Sequence, residues 1–327
     1  MEYRELGRTH RTVSVIGLGT WQLGADWGEV NEADALAVLD AAVDSGVTFF
    51  DTADVYGDGR SEQLIGTYLA AHPGHSITVA TKMGRRQEQL AENYVLENFR
   101  AWTDRSRRNL GVETLDLVQL HCPPSEVFRS DEVYDALETL VSDEVISNYG
   151  FSVETAAQAL DAISRPGTAT IQIILNAFRL KPLDEVLPSA IAAGVGIIAR
   201  VPLASGMLSG KYTSATTFAA NDHRNYNRDG SAFDVGETFS GVDYETGLAA
   251  ALEFARLAPA GMSPATAALA WVAQQAGVSS VIPGARNPAQ AVNNAAAGSV
   301  GHLGAAFDAG VKEIYDRHFR AGIHSRW

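Results

Sequence analysis

The chain has one cysteine, Cys122, among 327 residues, which excludes an intrachain disulfide and a thiolate metal site. It has no excess of positive charge. The formal net charge is −14 at pH 7, so nucleic acid and anionic membrane surfaces are repelled rather than recruited. No stretch approaches the ~18 uncharged apolar residues of a membrane helix, and Met1-Glu2-Tyr3-Arg4-Glu5 lacks the apolar core of a signal peptide. No Pro-, Ser- or charge-rich linker divides the sequence. A dinucleotide fingerprint of the Gly-x-Gly-x-x-Gly type is missing too: Gly17-Leu18-Gly19 has Gln22 where the third glycine would stand. The expectation is one domain over residues 1–327, in a reducing, cytoplasmic setting, with a small-molecule partner and an open oligomeric state.

What the chain does have is a 46% hydrophobic content, enough for a large core. Short β-branched apolar runs alternate with stretches of helical period, the pattern of βα units around a parallel sheet. The runs at 13–18, 48–52, 77–81, 115–121, 145–152, 170–175, 195–201 and 278–283 are eight in number and predict a closed (β/α)8 TIM barrel. Residues 3–6 and 12–16, joined by a Gly-Arg-Thr turn, predict an N-terminal β-hairpin across the barrel bottom. Helix starts are signalled by Asn31, by Ser61 before Glu62, and by Ser263-Pro264, while Gly46 marks a stop. Strands seven and eight are too far apart for a simple connection. The excess, 211–246, reads as a long loop folded over one barrel end, with Tyr226, Phe233, Phe239 and Tyr244 offering area to bury.

In such a barrel the chemistry sits at the C-terminal strand ends. Strand two ends at Asp51, with Tyr56 five residues later; strand three ends at Lys82 and strand four at His121. Each alone has a structural reading: Asp51 holding a turn, Tyr56 a lid aromatic, Lys82 a solvated strand end, His121 a satisfied semi-buried histidine. Together they suit carbonyl reduction, which needs a proton for oxygen as hydride reaches carbon. A tyrosine has a pKa of about 10; a lysine ammonium beside it lowers that value toward one useful for acid–base work. An aspartate keeps the lysine charged, and a histidine orients the carbonyl oxygen.

In identity, order and spacing, Asp51, Tyr56, Lys82 and His121 resemble the catalytic tetrad of the aldo-keto reductase superfamily. The flanking text is similar as well: Gly17-Leu-Gly-Thr-Trp21, Asp51-Thr-Ala-Asp-Val-Tyr-Gly57 with Arg60-Ser61-Glu62, Ala80-Thr-Lys82, Leu117-Val-Gln-Leu-His121, Pro202-Leu-Ala-Ser-Gly206 with Gly210-Lys211, and Ile282-Pro-Gly-Ala-Arg286. The likeness spans essentially the whole chain and looks most like a bacterial group of largely unassigned substrate. It implies NAD(P)H-dependent reduction of an aldehyde or ketone, with Tyr56 as general acid and NADPH as cofactor. Carried over residue by residue, it places Gly19, Thr20, Trp21 and Asp51 near the nicotinamide ribose, and Ser152 and Gln172 at the carboxamide. Pro202, Leu203, Ser205, Gly206 and Lys211 fall at the pyrophosphate; Gly284, Arg286, Gln290, Asn293 and Asn294 fall at the adenosine end. Arg286 would read the 2′-phosphate that distinguishes NADPH from NADH.

The chain departs from the family at Val153, where an asparagine is usual, at Glu144-Val145 and Ser147 before strand five, and at Gln290, where many members carry arginine. The last keeps NADH in play beside NADPH. Two rival readings remain open: an NAD(P)⁺-dependent alcohol or sugar dehydrogenase, and a cofactor-binding regulatory subunit of the kind found on potassium channels. Substrate choice is expected from the loop at Trp27, from 211–246 and from the tail with His324 and Trp327. His72 and His75 read as a surface turn, Asp222-His223-Arg224 as a polar cluster that is solvated or meets substrate, Cys122 as a packing residue, and Arg105-Ser-Arg-Arg108 as cations at a helix end.

Overall fold

The computed structural model describes residues 1–24, 31–220 and 222–327; Trp27, expected in a substrate loop, lies outside the described residues. Strands β1 (Tyr3–Glu5) and β2 (Thr12–Ser14) form an antiparallel hairpin with Tyr3 opposite Ser14. The barrel is parallel throughout. Its strands are β3 (Leu18–Gly19), β4 (Phe49–Asp51), β5 (Thr78–Met83), β6 (Leu117–His121), β7 (Tyr149–Ser152), β8 (Thr168–Ile174), β9 (Gly196–Arg200) and β10 (Val278–Val281), neighbouring in that order. Parallel bridges from Ile16 to Val281 and from Gly19 to Gly284 close the ring. The (β/α)8 expectation is therefore met.

Strand alternation sorts the side chains. Phe49, Ala80, Leu117 and Ile198 pack inside the barrel with Leu6 and Val13 of the hairpin, so the hairpin plugs the bottom. Phe50, Val79, Val118 and Ile197 belong to the second cluster, between barrel and helices. The same parity that buries Phe49, Ala80, Leu117 and Ile198 puts Asp51, Lys82, Gln119, His121 and Arg200 on the inner face farther up. The site's membership is thus set by strand register.

Three expectations change. The run at 13–18 splits: its start pairs within the hairpin, and its end joins the barrel through the Ile16–Val281 bridge and the strand Leu18–Gly19, with Gly17 between them leaving no room for a side chain against Phe49. The fifth run starts later than expected, at Tyr149. Ser61 does not cap a helix. Gly59 caps Arg60–Ala71, and Ser61 lies inside it, buried, donating to Thr20 Oγ1 at 2.8 Å and accepting from Thr52 Oγ1 at 2.9 Å. Asn31 and Ser263 do cap their helices, accepting from Asp34 N and Thr266 N.

The segment 211–246 is ordered over the barrel's upper end by its own polar core. Asn227, fully buried, accepts from the backbone N–H groups of Ala232 and Phe233 and donates to Thr238 Oγ1. Phe239 is buried among Tyr212, Phe218 and Tyr244. Tyr226 is instead exposed, at 41%: the short helix His223–Tyr226 turns His223 inward and Tyr226 outward. No described helix is long and apolar enough to cross a membrane.

Candidate active site

Asp51, Lys82 and Tyr56 meet at the upper end of the barrel interior. Lys82 Nζ is fully buried and donates to Asp51 Oδ1 at 2.5 Å, Thr52 O at 2.7 Å and Tyr56 Oη at 3.4 Å. All three donor positions of the ammonium are thus directed. Asp51 is held on its other oxygen by Gln119 Nε2 at 3.2 Å and Gln172 Nε2 at 2.7 Å. Gln119 was missed from sequence, although it stands two residues before His121 on the same inward face. The Tyr56 ring lies 6.0 Å from His121, edge-on, and 6.0 Å from Trp21, stacked.

The tyrosine loop is built to stay put. Arg105 donates to Asp54 O and Asp58 O, so this basic run does more than balance a helix end. Gly24 and Gly57 touch backbone to backbone: a Cβ on Gly57, whose φ is +58°, would sit 2.1 Å from Gly24 O. Gly57→Ala is expected to destabilise the fold by about 3 kcal/mol, combining a left-handed strain with a backbone clash. Urea unfolding measures it, and a midpoint equal to wild type would show that the loop yields freely.

Burial decides the protonation states. It works against a charge on Lys82, but Asp51 and Tyr56 hold the ammonium above its ordinary range. Burial also raises Tyr56 above 10, and the opposing pull of Lys82 does not overcome it. The expected lowering of the tyrosine is therefore corrected: the phenol stays protonated at neutral pH, and Lys82 only limits the rise. His121 is held well below its ordinary value by burial, then by Arg85, Lys82 and Arg200, so the imidazole is neutral. Burial pushes the Cys122 thiol up to about 12; at neutral pH it is a packing group, beside Ser152 Oγ at 3.4 Å.

Above this group opens a cavity of about 790 Å³. Its wall includes Tyr56, His121 and fifteen of the sixteen residues expected around a cofactor: Gly19, Thr20, Trp21, Asp51, Gln172, Pro202, Leu203, Ser205, Gly206, Lys211, Gly284, Arg286, Gln290, Asn293 and Asn294. The sixteenth, Ser152, is buried behind the wall. Although the chain carries −14, the described residues of the wall include four cations (Arg200, Lys211, Arg224, Arg286) against two carboxylates (Asp51, Glu237). Ala204, Ser205 and Gly206 all have positive φ, in a tight turn closed by Ala204 N donating to Val201 O at 3.0 Å and Gly206 N donating to Leu203 O at 2.9 Å. Gln290 does not reach outward: its Oε1 accepts from Arg286 N at 2.8 Å, fixing the loop that carries the exposed guanidinium. An anionic ligand fits this lining.

Sequence reasoning missed a second charged group. Arg85 Nη2 lies 3.1 Å from Glu237 Oε1 and 3.4 Å from Glu154; Arg200 lies 3.0 Å from Glu154 and 3.4 Å from Glu237. The thiol of Cys122 and the two carboxylates come within 4.8 Å of one another, as metal ligands do, but the two guanidiniums already balance them. His223 and Arg224 also line the cavity, and His223 lies 5.1 Å from Trp21. The cluster at 222–224 is thus buried, not solvated. His324 and Trp327 are not in the wall. His324 sits by Asp184, and Trp327 stacks on Arg179 beneath the overlying segment.

Residues 15–316 match the family model described as the aldo/keto reductase family. The chain is 30% identical to a probable voltage-gated potassium channel subunit beta of Oryza sativa subsp. japonica, over 90% of each protein. It is 33% identical to L-galactose dehydrogenase of Arabidopsis thaliana over 64% of this chain and 67% of that one. Among solved structures it resembles a glycerol dehydrogenase from Gluconobacter oxydans, with 31% identity, a TM-score of 0.76, and coverage of 94% and 93% of the two chains.

Proposed function

The chain belongs to the aldo/keto reductase family, and we propose that it reduces an aldehyde or ketone to the alcohol with NADPH as the hydride source. The observation that carries this reading is the buried Asp51–Lys82–Tyr56 chain opening into a cation-rich cavity. When bound, the dinucleotide supplies hydride, and Lys211 and Arg286 would hold its phosphates. The protein's own part is proton delivery. Tyr56, protonated by virtue of its burial, donates its phenolic proton to the carbonyl oxygen as carbon accepts hydride. Lys82 stabilises the phenolate left behind, and Asp51 keeps the lysine charged and in place. His121, neutral, hydrogen-bonds the same oxygen and fixes its direction.

The same groups serve the reverse reaction, and the dehydrogenases among the relatives support a second reading as an NAD(P)⁺-dependent alcohol or sugar dehydrogenase. The channel-subunit relative raises binding without turnover; the complete tetrad speaks for turnover. A panel of aldehydes, ketones and sugars, assayed with NADPH and NADH and in reverse with the oxidised cofactors, tests all three. No turnover of any reactive aldehyde by folded, cofactor-binding protein would overturn the enzymatic reading.

Cofactor preference gives a further expectation. Arg286 is exposed and its loop is pinned by Gln290. A charge-assisted contact to phosphate is worth about 1.5–3 kcal/mol, roughly ten- to hundredfold in affinity. Arg286→Ala should weaken NADPH by that factor and barely change NADH, and the effect should shrink as salt rises. Cofactor fluorescence titration reads it. Equal losses for both cofactors would assign Arg286 to shaping the loop.

A further inference from the structure

We infer that Arg200, balanced by Glu237, sets which oxidation state of the nicotinamide cofactor the site holds more tightly, and that it favours the reduced one. The inference rests on the cofactor reading above. Arg200 ends β9 on the inward face and lines the cavity where Tyr56 and His121 also line it. Because hydride must reach the carbon whose oxygen those two side chains address, the nicotinamide has to lie at this end of the cavity. The ring is neutral in the reduced cofactor and carries +1 in the oxidised one, while the phosphates and adenosine are the same in both. A charge fixed at this end therefore acts on the difference between the two forms.

The Arg200 guanidinium is fixed. It donates to Val153 O at 3.2 Å and pairs with Glu154 and Glu237, and it has 9% side-chain exposure. A second guanidinium, Arg85, donates to His121 O at 3.3 Å. Together with Lys82, these two are the charges among the described residues that bear on His121, and all three are cations. Of the two acids nearby, burial works against a charge on Glu154, whereas Arg85 and Arg200 overcome burial and favour the charged form of Glu237. Glu154, unlike Arg200 and Glu237, does not line the cavity, so it offsets the guanidiniums less on that side. A new positive charge is opposed at this end, and Glu237 is the anion that moderates the opposition.

The test is the ratio of dissociation constants, Kd for NADP⁺ over Kd for NADPH, measured by tryptophan quenching or calorimetry without substrate. Two variants should move it in opposite directions. Arg200→Gln removes a cation and should lower the ratio about tenfold. Glu237→Gln removes the counter-anion and should raise it about tenfold, the scale of one charge acting over about 12 Å at an effective dielectric near ~20. Taking a ratio cancels any general loss of affinity. Should Arg200→Gln fail to fold, Arg85→Gln replaces it, with a smaller fall expected, and Glu237→Gln stands independently. A ratio unchanged in both variants, or shifted the same way in both, would overturn the inference while leaving the cofactor reading intact. Failure of wild type to bind either form would overturn the cofactor reading and the inference with it.

Discussion

Tyr56→Phe should lower kcat by at least about 10²-fold, the scale on which an enzyme feels the loss of an acid–base group, while leaving the affinity for NADPH nearly unchanged. The substitution removes one oxygen. The Tyr56 ring would keep its stacked position on Trp21 and its edge contact with His121, and the loop would keep its clamp from Arg105. Lys82 would lose only the longest of its three contacts, the 3.4 Å one, so stability should hardly change. Protonation adds a signature. Since burial raises the phenol above its ordinary value of about 10, the proton is present throughout the neutral range. Below about pH 10 the reductive rate should show no fall traceable to Tyr56 ionising. Steady-state turnover of a reactive aldehyde, with a separate NADPH titration, measures both parts. Near-normal turnover in the phenylalanine variant would remove Tyr56 from the chemistry.

How much of this was legible in the sequence depended on whether neighbours in space were also ordered along the chain. Asp51 and His121 end their strands and Lys82 stands one residue before the end of the strand between them, so strand ends nearly gathered them, and Tyr56 followed at a fixed offset. Gln119 and Arg200 were also within reach: they share strand parity with His121 and Ile198, and the alternation that fills the barrel bottom assigns them inward. Glu237 and His223 were not. Their inward direction depends on how Asn227 and Thr238 fold the segment between β9 and β10, and Arg85 meets Glu237 across 152 residues of sequence. Ser61 resembled a helix cap because a hydroxyl before a glutamate usually is one; its true partners, Thr20 and Thr52, come from two other segments. The direction of the Tyr56 shift failed for a related reason. Sequence showed the lysine that lowers it but not the depth of burial that raises it more.

Lys82→Met should abolish most activity, and the manner of the loss tests what the lysine does. The ammonium is fully buried against a carboxylate that is itself 3% exposed, so removing it leaves Asp51 uncompensated inside the barrel. Breaking one side of a buried pair costs about 3–5 kcal/mol, and a lower unfolding midpoint is expected. Stability loss alone would leave the folded fraction working at its normal rate, so turnover must be normalised to folded protein measured by near-UV dichroism. If Lys82 stabilises the phenolate, the folded fraction is itself slow: without the ammonium that both lowers the tyrosine by charge and contacts it, Tyr56 holds its proton harder. Asp51→Asn separates the two roles. It keeps the cation but removes the partner that maintains its charge, so it should slow turnover less than Lys82→Met does. Cys122→Ser is the negative control. That thiol directly follows His121 in sequence, yet burial pushes its pKa up to about 12, and replacing sulfur by oxygen there should change turnover less than about twofold, as expected for a group outside the proton path. A fully active folded fraction in Lys82→Met, or a Cys122→Ser variant slower than it, would move the chemical centre away from the lysine.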